Sequence, residues 1–170
     1  MKRLRHLLYI IALLAFDQFT KYLVVANLKE DGPFQLIPKV FQFRYHENDG
    51  AVWGILSGKI PFLVVLTTII MGLLVYVYFK IPMGKRYDLM RIILIFISAG
   101  AIGNFIDRIV RGYVVDFLYF ELIDFPIFNV ADCYITISSV LLIILSIFYY
   151  KDEDFEFLGK KEAKNEQSDT

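Results

Sequence analysis

The sequence predicts an all-α integral membrane protein with four transmembrane helices and a small β-sheet in its first outer loop. The chain has 170 residues, is 57% hydrophobic and has a mean hydropathy of +0.54, whereas soluble domains are about 45–50% apolar. Four apolar stretches, each about 18–20 residues long, can cross about 30 Å of hydrocarbon as helices. The basic residues are concentrated on one side of the resulting topology.

The predicted spans cover about residues 7–26, 60–79, 89–107 and 130–150. Residues 1–150 are expected to form a single transmembrane domain, and residues 151–170 a charged cytoplasmic tail that is disordered or loosely helical. The first span is also compatible with a cleaved signal peptide, because a basic segment precedes its apolar core. A signal core rarely continues through residues such as Asp17 and Lys21 into further apolar sequence, so a retained span is favoured.

The distribution of Lys and Arg predicts the orientation. Basic residues occur in the N-terminal segment, in the loop between spans two and three, and in the tail: Lys2, Arg3, Arg5, Lys80, Lys85, Arg86, Arg91, Lys151, Lys160, Lys161 and Lys164. The positive-inside rule assigns these segments, and therefore both termini, to the cytoplasm. The loops at about 27–59 and 108–128 then face outward.

The first outer loop contains a strand-like pattern. In "VFQFRYH", Phe41, Phe43 and Tyr45 alternate with polar residues, and a period of two is typical of a strand with one apolar face. Gly32-Pro33 and Pro38 punctuate the segment. We interpret it as a small sheet on the outer membrane surface, although periodicity alone is equally compatible with an irregular loop anchored by aromatic residues.

Polar residues within and between the spans gather at the outward membrane boundary. They are Asp17, Lys21, Asn48, Asp49, Asn104, Asp107, Arg108, Asp116, Asn129 and Asp132. Within each predicted helix they are spaced three or four residues apart and therefore share a face. Charged groups inside a membrane are costly and commonly functional. Their convergence on one boundary predicts a site there.

Structural explanations remain open for several of these residues. Asn129 has the position and chemistry of an N-cap for the fourth span. The pairs Asp17–Lys21 and Asp107–Arg108 are candidates for structural ion pairs that hold the helices together. Both explanations are compatible with a functional site nearby.

Asp116 and Asp132 are the candidates for chemistry, because they lie at the two ends of one outer loop. Two carboxyls at close range do not both ionise readily, so the pKa of one rises. One acid and one base around a water molecule suffice for peptide hydrolysis without a metal ion. We expect Asp132 to be the ionised partner, since a helix start favours an anion.

The sequence gives no support to other chemistries. It has no P-loop, no dinucleotide fingerprint and no Cys/His cluster, so neither a cofactor, a metal ion nor a nucleic-acid partner is expected. His6 and His46 lack partners at ligand spacing and are interpreted as incidental. Cys133 is expected to be a small packing residue.

Four segments together resemble the bacterial prolipoprotein signal peptidase family (signal peptidase II): "FDQFTK", "NDGAVWGIL", "GNFIDRIVRGYVVDF" and "FPIFNVADCYIT". Their order and spacing match that family over the chain except the tail. The resemblance implies an intramembrane aspartic endopeptidase in the bacterial inner membrane, with its active site at the extracytoplasmic boundary. The implied substrates are prolipoproteins bearing a diacylglyceryl group, which are cut just before the lipidated cysteine.

The resemblance also implies roles for individual residues. Asp116 and Asp132 correspond to the catalytic pair. The positions that match the family's supporting polar residues are Asp17, Lys21, Asn48, Gly50, Asn104, Asp107, Arg108 and Asn129. Asp49 and Val52 depart from the family's usual pattern, so Asp49 is left out of the site. Membrane lipids are expected partners, and the protein is expected to be a monomer.

A small proton- or ion-coupled transporter is the main alternative, because intramembrane charges often mark such pathways. Transporters usually place ionisable groups near the midplane and have internally repeated halves. Here the polar groups lie at one end of the predicted helices and no repeat is evident. A non-catalytic membrane scaffold, in which the polar pairs only brace the helices, is the second alternative.

Overall fold

The computed structural model describes residues 2–51 and 55–159, which form four long helices and a small sheet. The helices are α1 (Lys2–Leu28), α2 (Ile60–Lys80), α3 (Asp88–Arg111) and α4 (Val130–Phe148). Within the described residues these four are long and apolar enough to cross a membrane. The predicted all-α class with four spans is confirmed. Helix α1 begins before the predicted span and is about 40 Å long.

Helix α3 is the centre of the bundle and packs against the other three helices. In the 18-residue apolar segment of α3, 56% of the residues are buried inside the protein. In the corresponding segments of α1, α2 and α4, at most 17% of the residues are buried. Small residues allow this packing. A Cβ added to Gly100 would lie 2.5 Å from the carbonyl oxygen of Ala131, and one added to Gly103 would lie 2.5 Å from Asp17 Oδ2. The backbones of α1 and α4 therefore approach α3 closely only because both positions are glycine.

A three-stranded antiparallel sheet lies at one end of the bundle, in the order β1 (Phe34–Ile37), β2 (Phe41–Asn48) and β3 (Val114–Tyr119). Strands β1 and β2 lie in the first outer loop, as predicted. Strand β3 comes from the second outer loop, where the sequence led us to expect only a connection around Asp116. The first four residues of β3 are all buried. A strand buried on both faces lacks the alternation that would have predicted it.

The register between β2 and β3 aligns the polar residues of the two outer loops. Asp116 lies opposite His46, and Val114 lies opposite Asn48. At the far end of β3, the backbone N–H of Leu118 donates to the carbonyl oxygen of Phe128, 2.8 Å away. The segment before α4 is thereby anchored to the sheet. The sheet thus joins the two outer loops and fixes where each delivers its polar side chains.

The opposite end of the bundle contains an aromatic cluster and the first part of the tail. Residues Asp152–Leu158 form a 3-10 helix, a more definite structure than the loosely helical end expected from the sequence. The Arg86 guanidinium donates to both carboxylate oxygens of Asp154 at 2.5 Å. Tyr150 is buried in a core with Ile81 and Met90. The tail is therefore packed against the α2–α3 connection as far as it is described.

Candidate active site

Asp116 and Asp132 are brought together by Asn129, the residue that precedes α4. Asp116 is in β3 and only 1% exposed, whereas Asp132 is partly buried in the first turn of α4. The side-chain amide of Asn129 donates to Asp116 Oδ1 at 2.6 Å, and its backbone N–H donates to Asp132 Oδ2 at 3.0 Å. The interpretation of Asn129 as an N-cap is confirmed, because its Oδ1 accepts from the Asp132 N–H. One residue therefore caps the helix and contacts both carboxyls.

Two further asparagines complete the donors to the carboxyls. Asn48, the last residue of β2, donates from Nδ2 to Asp116 Oδ2 at 2.8 Å. Asn104, on α3, donates from Nδ2 to Asp132 Oδ1 at 2.8 Å. Every oxygen of the two carboxyls thus accepts a hydrogen bond, so both side chains are held in fixed orientations.

The orientation of each asparagine amide follows from its partners. The Oδ1 of Asn48 accepts from the backbone N–H of Gly50 at 3.0 Å, and that of Asn129 accepts from the backbone of α4. Asn104 Oδ1 accepts from the Lys21 ammonium at 2.9 Å. Backbone N–H groups and ammonium groups only donate, so each amide oxygen must face them. The three NH₂ groups are consequently directed at the carboxyls and not away from them.

Lys21 is the centre of a fully buried ionic network behind the carboxyls. Its ammonium lies 3.1 Å from Asp17 Oδ2, 3.0 Å from Asp107 Oδ2 and 2.9 Å from Asn104 Oδ1. The side chains of Lys21, Asp17 and Asp107 are 0% exposed. An ammonium has three N–H donors, and here each has an acceptor. The expected Asp17–Lys21 pair is confirmed, and it includes a third charge from α3.

The two carboxylates of this network also hold the backbone beside the candidate catalytic residues. Asp17 Oδ1 accepts from the N–H of Ala131, at 3.0 Å, and Asp107 Oδ2 accepts from the N–H of Val115, at 3.2 Å. Ala131 directly precedes Asp132 in the chain, and Val115 directly precedes Asp116. The ionic network therefore positions both segments that carry the carboxyls.

The prediction of an ion pair between Asp107 and Arg108 is wrong. Consecutive helix residues point about 100° apart, so the two side chains diverge. Asp107 pairs with Lys21 and lies 3.6 Å from Arg111 Nε. Arg108 instead donates from Nη2 to the carbonyl oxygen of Gly50, at 3.2 Å. Its role is to tie α3 to the first outer loop, beside Asn48.

The loop after Asn48 depends on Gly50. A Cβ there would lie 2.8 Å from the carbonyl oxygen of Ile55, so a side chain would force the loop open. The Ser57 hydroxyl donates to the Asp49 carboxylate and lies 2.8 Å from both of its oxygens. Val52, the second departure from the family pattern, lies outside the described residues.

All ten residues singled out in the sequence belong to one connected set of hydrogen bonds and ion pairs. They are Asp17, Lys21, Asn48, Gly50, Asn104, Asp107, Arg108, Asp116, Asn129 and Asp132. Gln18 also belongs to this network and was missed. Its Nε2 lies 3.1 Å from Asp17 Oδ2 and 3.3 Å from the carbonyl oxygen of Gly103. It directly follows Asp17 in "FDQFTK", but the helix spacing that relates the charged residues does not include it.

Asp116 and Asp132 have different electrostatic surroundings. Burial, followed by the negative charge of Asp132, raises the pKa of Asp116 from its ordinary value of 3.8 to about 7, against the opposing hydrogen bonds from Asn48 and Asn129. Asp132 lies in the first turn of α4, where the helix dipole and the backbone N–H of Asn129 stabilise an anion. Neighbouring carboxyls titrate as a unit, and these surroundings favour a neutral Asp116 beside an ionised Asp132.

This arrangement provides one proton donor and one proton acceptor at the same place. Such a pair can activate a water molecule and protonate a leaving group, which is the requirement for general acid–base hydrolysis. Among the described residues, no group of three or more His, Cys, Asp or Glu side chains is arranged to hold a metal ion.

Comparison with known proteins identifies the family. Residues 9–148 match the family described as signal peptidase (SPase) II. The lipoprotein signal peptidases of Staphylococcus aureus strains JH9 and Newman are each 46% identical to this chain over 132 residues. The matched region covers 76% of this chain and 79% of each relative.

Two solved bacterial membrane enzyme structures, determined by the in meso method at 2.3 Å and 1.9 Å resolution, have the same fold. Their TM-scores are 0.76 and 0.72, each at 39% sequence identity. The alignments cover 94% and 86% of this chain, and 94% of each solved chain.

The family match spans residues 9–148, the part of the chain that contains the sheet, most of α1 and all of the other three helices. Because the solved relatives are membrane enzymes, the four apolar helices are membrane spans and the protein is a multi-pass membrane protein. A transporter is not supported by any of these likenesses, whereas a hydrolase of peptide bonds is. The chain belongs to the signal peptidase II family.

Proposed function

We propose that this protein is an intramembrane aspartic endopeptidase that removes the signal peptide from diacylglyceryl-modified prolipoproteins, cleaving just before the lipidated cysteine. One observation carries the catalytic type: Asn129 holds the carboxyls of Asp116 and Asp132 at one site, through its side chain and its backbone. Membership of the signal peptidase II family supports the substrate class, as does the similarity to lipoprotein signal peptidases.

In the proposed reaction, the ionised Asp132 accepts a proton from a water molecule as the water oxygen attacks the carbonyl carbon of the scissile peptide bond. The neutral Asp116 donates its proton to the carbonyl oxygen, which avoids a free oxyanion. Collapse of the tetrahedral intermediate returns that proton to Asp116, while the leaving nitrogen takes the proton held by Asp132. The C–N bond breaks, and the products are a new carboxyl terminus on the signal peptide and a free amine on the cysteine.

The supporting residues hold the two carboxyls in fixed orientations. Asn48 and Asn104 fix the direction of each carboxyl. Lys21 fixes the amide of Asn104 and holds the Asp17 and Asp107 carboxylates that grip the neighbouring backbone. None of these groups exchanges a proton with the substrate, so they are positioning residues. Arg108 and Gly50 order the loop beside Asp116.

The site belongs at the extracytoplasmic boundary of the bacterial inner membrane. The basic segments, among them Lys2–Arg5 and the α2–α3 connection, lie at the opposite end of the helices, and the positive-inside rule assigns that end to the cytoplasm. Water reaches the carboxyls from the outer side, while the apolar faces of the helices accommodate the signal peptide and the acyl chains. We expect the protein to act as a monomer among membrane lipids.

Cleavage of a defined precursor tests this function. The full-length protein is purified and incubated with a prolipoprotein that carries a diacylglyceryl group on its cysteine, and with the same precursor without the lipid. We expect one cut, with a product that begins at the lipidated cysteine by mass spectrometry. The unmodified precursor should react at least about tenfold more slowly, because the acyl chains supply transition-state binding worth about 1.4 kcal/mol or more.

Two outcomes of this experiment contradict the proposal. One is a cut at any other peptide bond of the lipid-modified precursor. The other is an equal rate for the two precursors, which would mean that the lipid is not recognised. A control precursor has alanine in place of the cysteine and therefore cannot carry the lipid. We expect it to remain uncleaved, which would show that cleavage depends on the lipid attachment site.

A further inference from the structure

An apolar groove runs between α1 and α2, on the surface of the central helix α3. The groove is open on one side and has a volume of about 290 Å³. Its walls come from Leu7 and Ile10 on α1 and from Leu74, Val75 and Phe79 on α2, with Ile102 on its α3 floor. None of the residues that line it belongs to the candidate active site. The groove is therefore separate from the residues of the candidate active site.

The groove ends in a cationic region at the N-terminal end of α1. Lys2 and Arg91 both pair with the carboxylate of Asp88, at 3.0 Å and 2.9 Å. Arg3 lies 5.1 Å from the centre of the Phe79 ring and, among the described residues, has no carboxylate partner. Three cations and one carboxylate leave this region with a net charge of +2. A group that sits here needs negative charge.

The end of the groove is held in shape by a buried contact between α1 and α2. His6 is only 5% exposed, and its Nδ1 lies 2.7 Å from the Tyr78 hydroxyl oxygen. The sequence led us to interpret His6 as incidental, and this buried contact shows that the interpretation was wrong. The contact lies beside Arg3, which lines both the groove and a small recess shared with Lys2 and Arg91. The apolar channel and the cationic recess consequently form one continuous surface.

The charge of the recess selects among possible occupants. A signal peptide has a basic segment before its apolar core, and the net charge of +2 would repel it. An uncharged lipid would fill the apolar channel but leave the cations without a partner. An anionic phospholipid satisfies both parts, with an acyl chain between α1 and α2 and a phosphate beside Arg3. Basic pockets between helices at the cytoplasmic face are suited to such headgroups.

We propose that this groove is a binding site for an anionic phospholipid, with one acyl chain between α1 and α2 and the phosphate at Arg3 and Lys2. The lipid is bound in the leaflet opposite to the candidate active site. It fills the gap between two helices that are joined here by few side-chain contacts, and it holds α2 against α1 and α3.

Lipid retention by the purified full-length protein tests this site without reference to peptidase activity. Native mass spectrometry compares binding of phosphatidylglycerol and of phosphatidylcholine with the same acyl chains. The test variants are Arg3→Gln, which removes the unpaired cation, and Val75→Trp, which fills the channel. The matched control for Arg3→Gln is Arg5→Gln, on the same helix but outside the groove. The matched control for Val75→Trp is Val65→Trp, because Val65 is 58% exposed and Val75 is 55% exposed.

We expect the wild-type protein and both controls to retain one phosphatidylglycerol more tightly than phosphatidylcholine. Arg3→Gln should weaken phosphatidylglycerol binding about fivefold, since each cation near a phosphate contributes about that factor, and should leave phosphatidylcholine binding unchanged. Val75→Trp should weaken binding of both lipids. Equal losses in Arg3→Gln and Arg5→Gln would overturn the proposal, as would unchanged phosphatidylglycerol binding in Val75→Trp. A change in peptidase activity alone would bear only on the proposed function.

Discussion

At the scale of single residues, Asn129 makes three contacts that are needed together. Its Oδ1 caps α4, its Nδ2 donates to Asp116, and its backbone N–H donates to Asp132. Because the cap fixes the amide orientation, the NH₂ group can only face Asp116 and the nearby Asn104. The N-cap predicted from the sequence is confirmed, and the positioning role that we propose depends on the same side chain.

The different surroundings of the two carboxyls make a prediction about pH. In the proposed reaction Asp116 is the proton donor, so activity should fall as pH rises through its pKa of about 7 and the donor proton is lost. The hydrogen bond from Asn48 lowers that pKa. Replacement Asn48→Ala removes the bond and should shift the alkaline limb of the kcat/KM profile to higher pH, with a lower maximum.

The profile is measured for cleavage of the lipid-modified precursor, with Asp124→Asn as the control for a polar change elsewhere in the outer loops. Asp124 is exposed and bonds Tyr119, so its variant should keep the wild-type limb. A shift of the alkaline limb of the kcat/KM profile to lower pH in Asn48→Ala would contradict this prediction.

At the scale of elements, the site is made by α1, α3, α4 and two strands meeting at one end of the bundle. Contacts within a helix were predictable, because spacing alone relates Asp17 to Lys21 and Asn129 to Asp132. Contacts between elements were not. Nothing in the spacing indicates that Lys21 reaches Asp107 on α3, at 3.0 Å, since that distance depends on how closely the helices pack.

Strand β3 shows a second limit of the sequence. Asp116 was recognised as a candidate from its chemistry and its motif, but its strand was not, because burial on both faces removes the alternating pattern. The run of small residues "SAGAIG", residues 98–103, is typical of close helix packing, and its Gly100 and Gly103 allow α4 and α1 to approach α3. Composition indicates that helices pack there, whereas the coordinates were needed to say which ones.

The ionic network predicts that Lys21 is essential for the bundle. Replacement Lys21→Met leaves the carboxylates of Asp17 and Asp107 buried without their shared cation. Removing one partner of a buried ion pair costs about 3–5 kcal/mol, so the free energy of unfolding should fall by about that amount. It is measured by denaturation of the protein in mixed detergent micelles.

Lys29→Met is the matched control for this prediction. Lys29 pairs with Glu47 at 3.0 Å, but both side chains are over 40% exposed, and exposed pairs contribute about 0–1 kcal/mol. Equal losses of stability in the two variants would show that the network behind the carboxyls contributes no more than a surface pair.

At the scale of the whole molecule, polar and apolar chemistry are separated along the helices. The connected set of polar residues lies at the end that carries the sheet, and the apolar groove opens toward the opposite end. Helix α3 supplies residues to both. The same four helices can therefore hold water and charge at one membrane boundary while the remainder of each helix faces lipid.

The fold class and the gathering of the polar residues at one end of the bundle followed from hydropathy and charge, which are properties of whole segments. The hydrogen bonds from Asn48, Asn104 and Asn129 to the two carboxyls could not be predicted from the sequence, because they depend on tertiary packing. Sequence reasoning identified the participants, and the structure identified their pairing.

The central claim, that Asp116 and Asp132 together perform hydrolysis, is tested most directly by single-turnover cleavage of the lipid-modified precursor. Asp116→Asn and Asp132→Asn each keep the shape of the side chain but remove its proton-transfer chemistry. Each should lower the cleavage rate by about 10²–10⁴-fold, with precursor binding retained, while the exposed control Asp124→Asn stays within about twofold of the wild type. Cleavage at the wild-type rate by either dyad variant would contradict the account.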